Sequence, residues 1–317
     1  MDVYNHTSFP HLLFRTGLEN NKMAAAVILR ATYDLVDGTP RPSENQAWPL
    51  SASPWQSPYG PMEGDFVFKR GGVDVFIFGS ARTPKKQAAK KMDVRVILPG
   101  KIDYKITVFG DRIWESGFGG LRMSDPKPFT EMPLTLANAY GGWGEWDKLK
   151  FSNPNNPSGK GFIWEKEGAS GKQLPNIEDP KNLITRWNDR PLPAGLTAAP
   201  VCEQRLKKAV EFDSEGTLVK LDPLFYNAAF PELVAPEIAP GETITVYGVN
   251  PSGPFQFTVP DQKLYADISF GDKTERRSLY IDQIGLEPDK NRAFITYRYA
   301  FNYFLNPMTK RIIHIVN

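Results

Sequence analysis

An alternation of apolar and polar residues between positions 94 and 108 predicts a β-hairpin. From Ile102 to Val108 every second side chain is apolar or aromatic, and the residues between them are Asp, Lys and Thr. This period of two is typical of a half-buried strand. The preceding run alternates in the same way, and Pro99-Gly100 joins the two runs with residues that suit a tight turn.

The same period returns four times in the C-terminal third of the chain. The alternating stretches are 243–247, 255–259, 264–270 and 293–301, with Gly, Pro, Asn and Asp between them. In the last stretch Ile295 and Tyr297 share one side, opposite Thr296 and Arg298. The pattern predicts a meander of at least four strands.

Three further strands are predicted near the start of the chain, at 12–15, 25–35 and 73–78, where β-branched and aromatic residues are frequent. One short helix is predicted after Pro200, because Cys202, Leu206 and Val210 recur at helical spacing among charged residues.

The stretch from Asn138 to Asn188 follows neither period. It is rich in Gly, Pro and Asn, yet it holds four of the seven tryptophans. A structureless loop of this length is rare inside a compact chain, and large aromatic side chains favour burial or binding. We therefore expect an ordered, packed irregular region that is either a functional surface or the filler between two sheets.

These elements predict a mainly β fold class: antiparallel sheets in two packed layers or subdomains, a long irregular central segment and one short helix. The expected organisation is an N-terminal β part at 1–137, a bridging segment at 138–215 and a C-terminal β part at 216–317, which together can form one compact domain. The length of 317 residues is enough for a sizeable core.

Composition excludes several function classes. Lys plus Arg number 38 and Asp plus Glu 36, so the net charge of +2 indicates no nucleic-acid partner. No apolar run approaches the roughly 20 residues that span a bilayer, and no signal-peptide pattern opens the chain, so we expect no membrane partner and a cytoplasmic location. A single cysteine cannot form an intramolecular disulfide.

The sequence contains no coherent catalytic or metal-binding set, and we expect neither enzymatic activity nor a cofactor or metal. Its three histidines, His6, His11 and His314, fit no metal-site spacing. A Cys202 nucleophile with His314 as its base is weighed against a small buried thiol, the more common fate of a free cysteine. The run Asn156-Pro-Ser-Gly-Lys-Gly superficially resembles a phosphate-binding loop but lacks the required first Gly and the Ser or Thr after Lys160.

Paired acids such as Glu178-Asp179 are candidates for acid and base chemistry, as in glycoside cleavage. Because Pro180 follows the pair, a role in a turn or helix cap is the more frequent one. Tryptophans near these acids also suit a sugar-binding platform, although core or interface packing is the commoner fate of Trp.

An ordered series of short motifs resembles a bacterial protein family catalogued as domain of unknown function 2169 and associated with type VI secretion. Most of the chain takes part in the resemblance, through Tyr59-Gly-Pro-Met-Glu-Gly-Asp-Phe, Gly79-Ser-Ala-Arg-Thr-Pro, Gly110-Asp-Arg-Ile-Trp, Pro126-Lys-Pro-Phe-Thr-Glu-Met-Pro-Leu, Ala139-Tyr-Gly-Gly, Asn156-Pro-Ser-Gly-Lys-Gly, Leu174-Pro-Asn-Ile-Glu-Asp-Pro and Tyr226-Asn-Ala-Ala. The resemblance implies an adaptor or chaperone that holds a toxic effector and helps load it onto the secretion spike. It implies no catalytic residues.

The leading hypothesis is therefore a non-enzymatic effector adaptor whose partners are a protein toxin and a spike protein. An all-β protein with aromatic residues outside its regular strands suits protein binding better than reaction chemistry. A carbohydrate-binding or carbohydrate-active β protein and a subunit of a phage-tail-like assembly are the alternatives. The candidate partner-binding residues are Tyr140, Trp143, Trp146, Phe162, Trp164, Trp187 and Arg190.

Overall fold

The computed structural model describes residues 1–118, 120–199, 201, 205–206, 209–306 and 308–317, and for Trp146 the backbone alone. Its strands, in chain order, are β1 (Asp2–Asn5), β2 (His11–Gly17), β3 (Lys22–Val36), β4 (Thr39–Pro42), β5 (Trp55–Ser57), β6 (Gly60–Met62), β7 (Val73–Ile77), β8 (Ser80–Arg82), β9 (Lys91–Leu98), β10 (Ile102–Phe109), β11 (Trp114–Gly117), β12 (Gly120–Met123), β13 (Glu131–Pro133), β14 (Tyr140–Gly141), β15 (Trp143–Trp146), β16 (Leu149–Ser152), β17 (Lys160–Gly161), β18 (Ile177–Glu178), β19 (Val210–Phe212), β20 (Leu218–Leu221), β21 (Val234–Ala235), β22 (Thr243–Tyr247), β23 (Phe255–Thr258), β24 (Tyr265–Phe270), β25 (Lys273–Ser278), β26 (Tyr280–Glu287), β27 (Arg292–Phe304) and β28 (Arg311–Val316).

Short 3-10 turns connect some of these strands, at Pro84–Lys86, Leu136–Asn138, Lys166–Gly168, Pro223–Tyr226, Pro231–Leu233 and Pro288–Lys290. The predicted short helix lies largely outside the described residues, which omit Cys202, while Val210 begins β19. None of the helices in the described ranges has the length and apolar character needed to cross a membrane.

Three large sheets form the body of the molecule. The seven-stranded sheet has the order β2-β3-β27-β26-β7-β21, with β4 also paired to β3. A five-stranded sheet has the order β18-β10-β9-β22-β23, and a four-stranded sheet the order β1-β28-β24-β25. Most neighbours are antiparallel, so the predicted mainly β fold class is confirmed; the parallel exceptions in these sheets are β26 with β7 and β1 with β28.

The hairpin predicted around Pro99-Gly100 is confirmed. β9 and β10 pair antiparallel from Ile102 with Leu98 to Phe109 with Lys91. Gly100 at the turn has φ 74°, a conformation that an L side chain rarely adopts. The strands predicted at 12–15, 25–35 and 73–78 are confirmed as β2, β3 and β7.

The predicted C-terminal meander is wrong: its four strands are present, but they do not lie side by side in one sheet. β22 pairs with β23 as a hairpin, but β24 belongs to the four-stranded sheet and β27 to the seven-stranded one. The alternation of apolar and polar residues identifies each strand but does not show which strand pairs with it. Here pairing with strands far along the chain determines the sheet to which each strand belongs. β27 lies beside β3 along thirteen residue pairs, from Arg292 with Asp34 to Phe304 with Lys22.

Strands from both ends of the chain therefore share sheets. β3 and β7 from the predicted N-terminal part lie in one sheet with β26 and β27 from the predicted C-terminal part. β9 and β10 likewise share a sheet with β22 and β23. The main apolar core draws on all three large sheets, with Val75, Val96 and Ile313 among its fully buried members. The exact domain boundaries stay a prediction.

Charged side chains are buried on one face of the seven-stranded sheet. We call this set the buried charge network; its members are Arg30, Arg70, Arg298, Asp65, Asp74 and Asp282. The sequence pattern assigns Arg298 to the polar side of β27, and the structure shows that this side is covered too. The connection between β6 and β7 lies over it, where the Arg298 guanidinium donates to the Val67 carbonyl oxygen at 2.5 Å.

Each arginine of the network reaches a carboxylate. Arg30 Nη2 lies 2.5 Å from Asp65 Oδ1, while Arg70 Nη1 and Arg298 Nη2 lie 2.6 and 3.0 Å from Asp282 Oδ2. Burial works to raise the pKa of Asp282, but Arg298 and Arg70 outweigh burial and hold that pKa below its usual value. Asp74 Oδ2 lies 3.4 Å from Arg70 Nε, and there burial outweighs the arginine and raises the pKa of the carboxyl, so pairing offsets the cost of desolvation only in part.

A β-bulge in β26 aims two consecutive side chains at this network. Pairing with β27 passes from Ile281 with Tyr297 directly to Gln283 with Thr296, so Asp282 is the extra residue. In a regular strand, neighbouring side chains point to opposite faces. Here Asp282 and Gln283 both bond to network members, because the bulge rotates the strand between them.

We expect Arg298→Met to destabilise the fold by about 3–5 kcal/mol, because it leaves part of the negative charge of Asp282 buried without its partner. The free energy of urea unfolding measures this loss. Arg276→Met is the matched control, since Arg276 pairs with Asp267 at the surface; its urea midpoint should barely move. Equal effects of the two substitutions would contradict the structural role of the network.

A further buried acid outside this network, Glu287, gathers four donors at the end of β26. Its carboxylate accepts hydrogen bonds from Trp48 Nε1 at 2.8 Å, Tyr59 OH at 2.9 Å, Lys290 Nζ at 3.0 Å and Arg292 Nε at 2.5 Å. Burial works to raise the pKa of Glu287, but these donors together lower it below the usual value.

The lowered pKa makes the contribution of Glu287 dependent on pH. A carboxylate with a depressed folded-state pKa stabilises the fold above its unfolded pKa, about 4.3, and loses this contribution as the pH falls through the folded-state pKa. We expect Glu287→Gln to lower the free energy of unfolding by about 2 kcal/mol at pH 7. The difference from the wild type should shrink below about pH 4 in urea titrations. A difference that stays constant down to pH 3 would contradict this.

Candidate partner-binding surface

The central segment has an apolar core of its own. β14 and β17 pair as a short parallel ribbon, and side chains from residues 114–184 pack around it. The fully packed members are Trp114, Tyr140, Phe162, Ile163, Ala169, Leu174 and Ile184. The region is irregular and ordered, as its aromatic content predicts.

Glycine and asparagine hold the base of this segment together. Gly141 has φ 151°, and a side chain there would collide with the Asn156 carbonyl oxygen. Asn156 is buried, and its amide nitrogen donates to the carbonyl oxygens of Leu136 at 2.8 Å and Tyr140 at 3.1 Å. The Asn-Pro-Ser-Gly run thus wraps closely around a glycine, because only glycine leaves room for the second backbone.

From this base projects a two-stranded ribbon, β15–β16, which we call the aromatic hairpin (residues 143–152). Trp143 pairs with Ser152 and Trp146 with Leu149, which leaves Asp147 and Lys148 as the turn. Both turn residues have positive φ, 45° and 64°, as a type I′ turn requires.

The pleat of the aromatic hairpin separates its large side chains onto two faces. Gly144, Leu149 and Phe151 belong to one face, where the Phe151 ring stacks on Trp164 with 5.2 Å between centroids and an angle of 19°. Trp143 belongs to the opposite face and is 60% exposed, while Trp164 is 45% exposed. Trp164 therefore supports the hairpin from one side, and Trp143 points outward from the other.

Three of the predicted partner-binding residues belong to the core beneath the aromatic hairpin, and a fourth bonds to that core from the surface. Tyr140 and Phe162 are buried, and Trp187 is half-buried against the same core. Arg190 lies at the surface, but its guanidinium donates to the Ile163 carbonyl oxygen at 2.5 Å and lies 5.3 Å from the centre of the Phe162 ring. The side chain of Trp146 is outside the described part of the chain.

The carboxylates of Glu178 and Asp179 both bond to groups of the protein itself. Glu178 is buried, bonds to the Arg112 guanidinium and accepts the backbone N–H of Ile184 at 2.7 Å. The guanidinium also lies over the Phe109 ring, 3.8 Å from its centre. Asp179 accepts the backbone N–H of Lys181 at 2.9 Å, which is the turn role expected beside a proline. The geometry favours ion pairing over acid and base chemistry at Glu178.

Two of the three histidines lie close together. His6 Nε2 lies 2.9 Å from His314 Nδ1, whereas His11 contacts Asn5. Within the described ranges, no three or more His, Cys, Asp or Glu side chains are grouped as metal ligands would be. Cys202, the weighed nucleophile, lies outside those ranges.

A second ribbon with exposed apolar side chains, β19–β20, lies in a stretch where the sequence analysis predicts no strand. Phe212, Leu218, Val219 and Leu221 are all exposed on it. The run Thr217 to Leu221 holds three apolar residues in five, which is the signal that could have indicated a strand there.

Comparison with known proteins gives one match. The model of a family described as "uncharacterized protein conserved in bacteria (DUF2169)" matches residues 20–298, which include the whole central segment. No curated protein and no solved structure matches the chain.

We expect Gly141→Ala to destabilise the protein by about 1–3 kcal/mol, because the new methyl group would displace the Asn156 backbone. Gly168→Ala is the matched control, since nothing lies within 4 Å of a Cβ added there. Urea unfolding followed by tryptophan fluorescence measures both variants. If Gly168→Ala proved as damaging as Gly141→Ala, the close packing described here would be refuted.

Proposed function

The chain belongs to the bacterial family described as uncharacterized protein conserved in bacteria (DUF2169), and we propose that it is a non-enzymatic adaptor or chaperone of type VI secretion. In this proposal it binds a protein effector in the cytoplasm and helps load it onto a spike protein. The proposal rests on the motif series shared with that family and on the form of the central segment. It requires no cofactor.

The exposed Trp143 on a rigid base is the observation that best supports protein binding. A tryptophan that leaves 60% of its surface in water offers a large apolar contact at a small cost in side-chain entropy. The packing of Tyr140 and Phe162 beneath the hairpin keeps its strands in place before a partner arrives. Binding to a preformed surface loses less free energy to ordering than binding to a mobile loop.

The partners of Glu178 weigh against the carbohydrate-active alternative. A general acid must release its proton to a substrate, and this carboxylate is buried against an arginine. An adaptor needs no such group. The exposed aromatic side chains serve either function, so a test must separate protein capture from glycan binding.

We expect Trp143→Ala to abolish co-purification of the effector with this protein, with an unchanged melting temperature. Trp164→Ala should weaken capture and also lower the melting temperature, because Trp164 stacks on Phe151. Affinity purification with quantitative mass spectrometry, alongside calorimetric melting, measures both effects.

Two exposed aromatic residues serve as matched controls. Phe304→Ala removes a ring that is 70% exposed at the end of β27, and Phe212→Ala removes one that is 61% exposed on β19. Phe304→Ala should leave capture intact. Loss of capture with Phe212→Ala but not with Trp143→Ala would place the partner elsewhere and overturn the assignment. An effector that is stable and exported without this protein would overturn the adaptor function itself.

A further inference from the structure

A cleft of about 330 Å³ lies at the base of the aromatic hairpin and is lined in part by Trp143. We call it the Lys160 cleft; its lining includes Gly142, Trp143, Lys160, Gly171, Lys172 and Gln173. The run Asn156-Pro-Ser-Gly-Lys-Gly, set aside as a phosphate loop, supplies Lys160 at the end of its turn.

The charge of the cleft is positive. Lys160 and Lys172 both line it, and none of the described residues of the lining is acidic. Lys160 is half-buried, and burial lowers its pKa, while Asp111 acts in the opposite direction. Since removing an ammonium group from water is unfavourable, a carboxylate entering the cleft would interact strongly with Lys160.

The backbone of the cleft does not offer a phosphate nest. The N–H groups of Gly142 and Gly159 both donate to the Asn156 carbonyl oxygen, at 2.8 and 3.2 Å, and that of Gly171 donates to Trp114 at 2.7 Å. A phosphate site of the glycine-rich kind needs such groups to be free and convergent. The charged donors of the lining are the ammonium groups of Lys160 and Lys172, which act as point charges for a carboxylate.

We propose that the Lys160 cleft binds a carboxylate side chain of an acidic segment in the protein partner, with an apolar residue two positions away in that segment packed on Trp143. This inference rests on the proposed function and names the chemistry of the partner. The positive lining and the neighbouring exposed indole select a segment that carries an acidic residue and an aromatic or aliphatic residue two positions apart, because side chains at i and i+2 of an extended segment point to the same side.

The probe for this site is a short fluorescein-labelled peptide that carries Glu and Phe two residues apart, compared with the same peptide carrying Gln for Glu. The acidic peptide should bind the wild-type protein, and Lys160→Gln should raise the Kd for this peptide by at least about fivefold. Lys150→Gln is the matched control, because Lys150 is exposed on the same hairpin but does not line the cleft. Fluorescence anisotropy measures the affinities, and melting temperatures show whether each variant is folded.

Carbodiimide coupling provides a second readout that does not depend on a variant. It joins an amine to a carboxylate held beside it, so mass spectrometry should find the peptide attached to Lys160 or Lys172 rather than to Lys150. Equal binding of the Gln peptide, equal loss with Lys150→Gln, or displacement by inorganic phosphate at lower concentration than by acetate would each overturn the inference.

The two proposals fail in different ways. If Lys160→Gln leaves peptide binding intact while Trp143→Ala still abolishes effector capture, the adaptor surface stands and the acidic specificity is wrong. If peptide binding depends on Lys160 while Trp143→Ala captures the effector normally, the cleft binds carboxylates but is not the surface that recognises the effector.

Discussion

The seven-stranded sheet can bury its polar face only because three guanidinium groups there meet three carboxylates. An unpaired ion in this position would cost several kcal/mol, so every member of the buried charge network depends on the others. Two of them, Asp65 and Arg70, come from the connection between β6 and β7, which the network therefore fixes against the sheet. Glu63 in the same connection also pairs with Arg205, so this connection is tied to the bridging segment as well.

The sequence was sufficient to predict strands wherever local alternation and a turn signal agree, as in β9 and β10. It was insufficient for strands whose neighbours lie far along the chain. Residues 264–270 and 293–301 look alike as patterns, yet they enter different sheets. In the sequence, Thr296 and Arg298 form the polar side of β27, and the sequence does not show whether that side is buried. The structure shows that Arg298 is buried, because Asp282 lies close enough to pair with it and Asp65 pairs with the neighbouring Arg30.

The candidate surface was predictable in composition but not in orientation. Six large side chains of the central segment were grouped as equivalent, and the structure divides those it describes into supports and one outward-facing residue. Tyr140 and Phe162 build the base, Trp164 braces one face, and Trp143 stands on the other beside Lys160. The pleat of a short hairpin places these side chains on opposite faces. The sequence around β15 has no regular alternation of apolar and polar residues, so the face on which each side chain lies could not be predicted from it.

The long pairing of β27 with β3 has a consequence for biosynthesis. Residues 22–36 leave the ribosome 258 to 282 residues before their partners in β27, since Asp34 pairs with Arg292 and Lys22 with Phe304. During that interval one whole edge of an apolar strand, including Val27 to Leu29, has no neighbour. Open apolar edges of this kind favour aggregation, and contacts of such sequence separation form slowly. A protein proposed to assist another chain thus passes through a stage of synthesis in which its own sheet is incomplete.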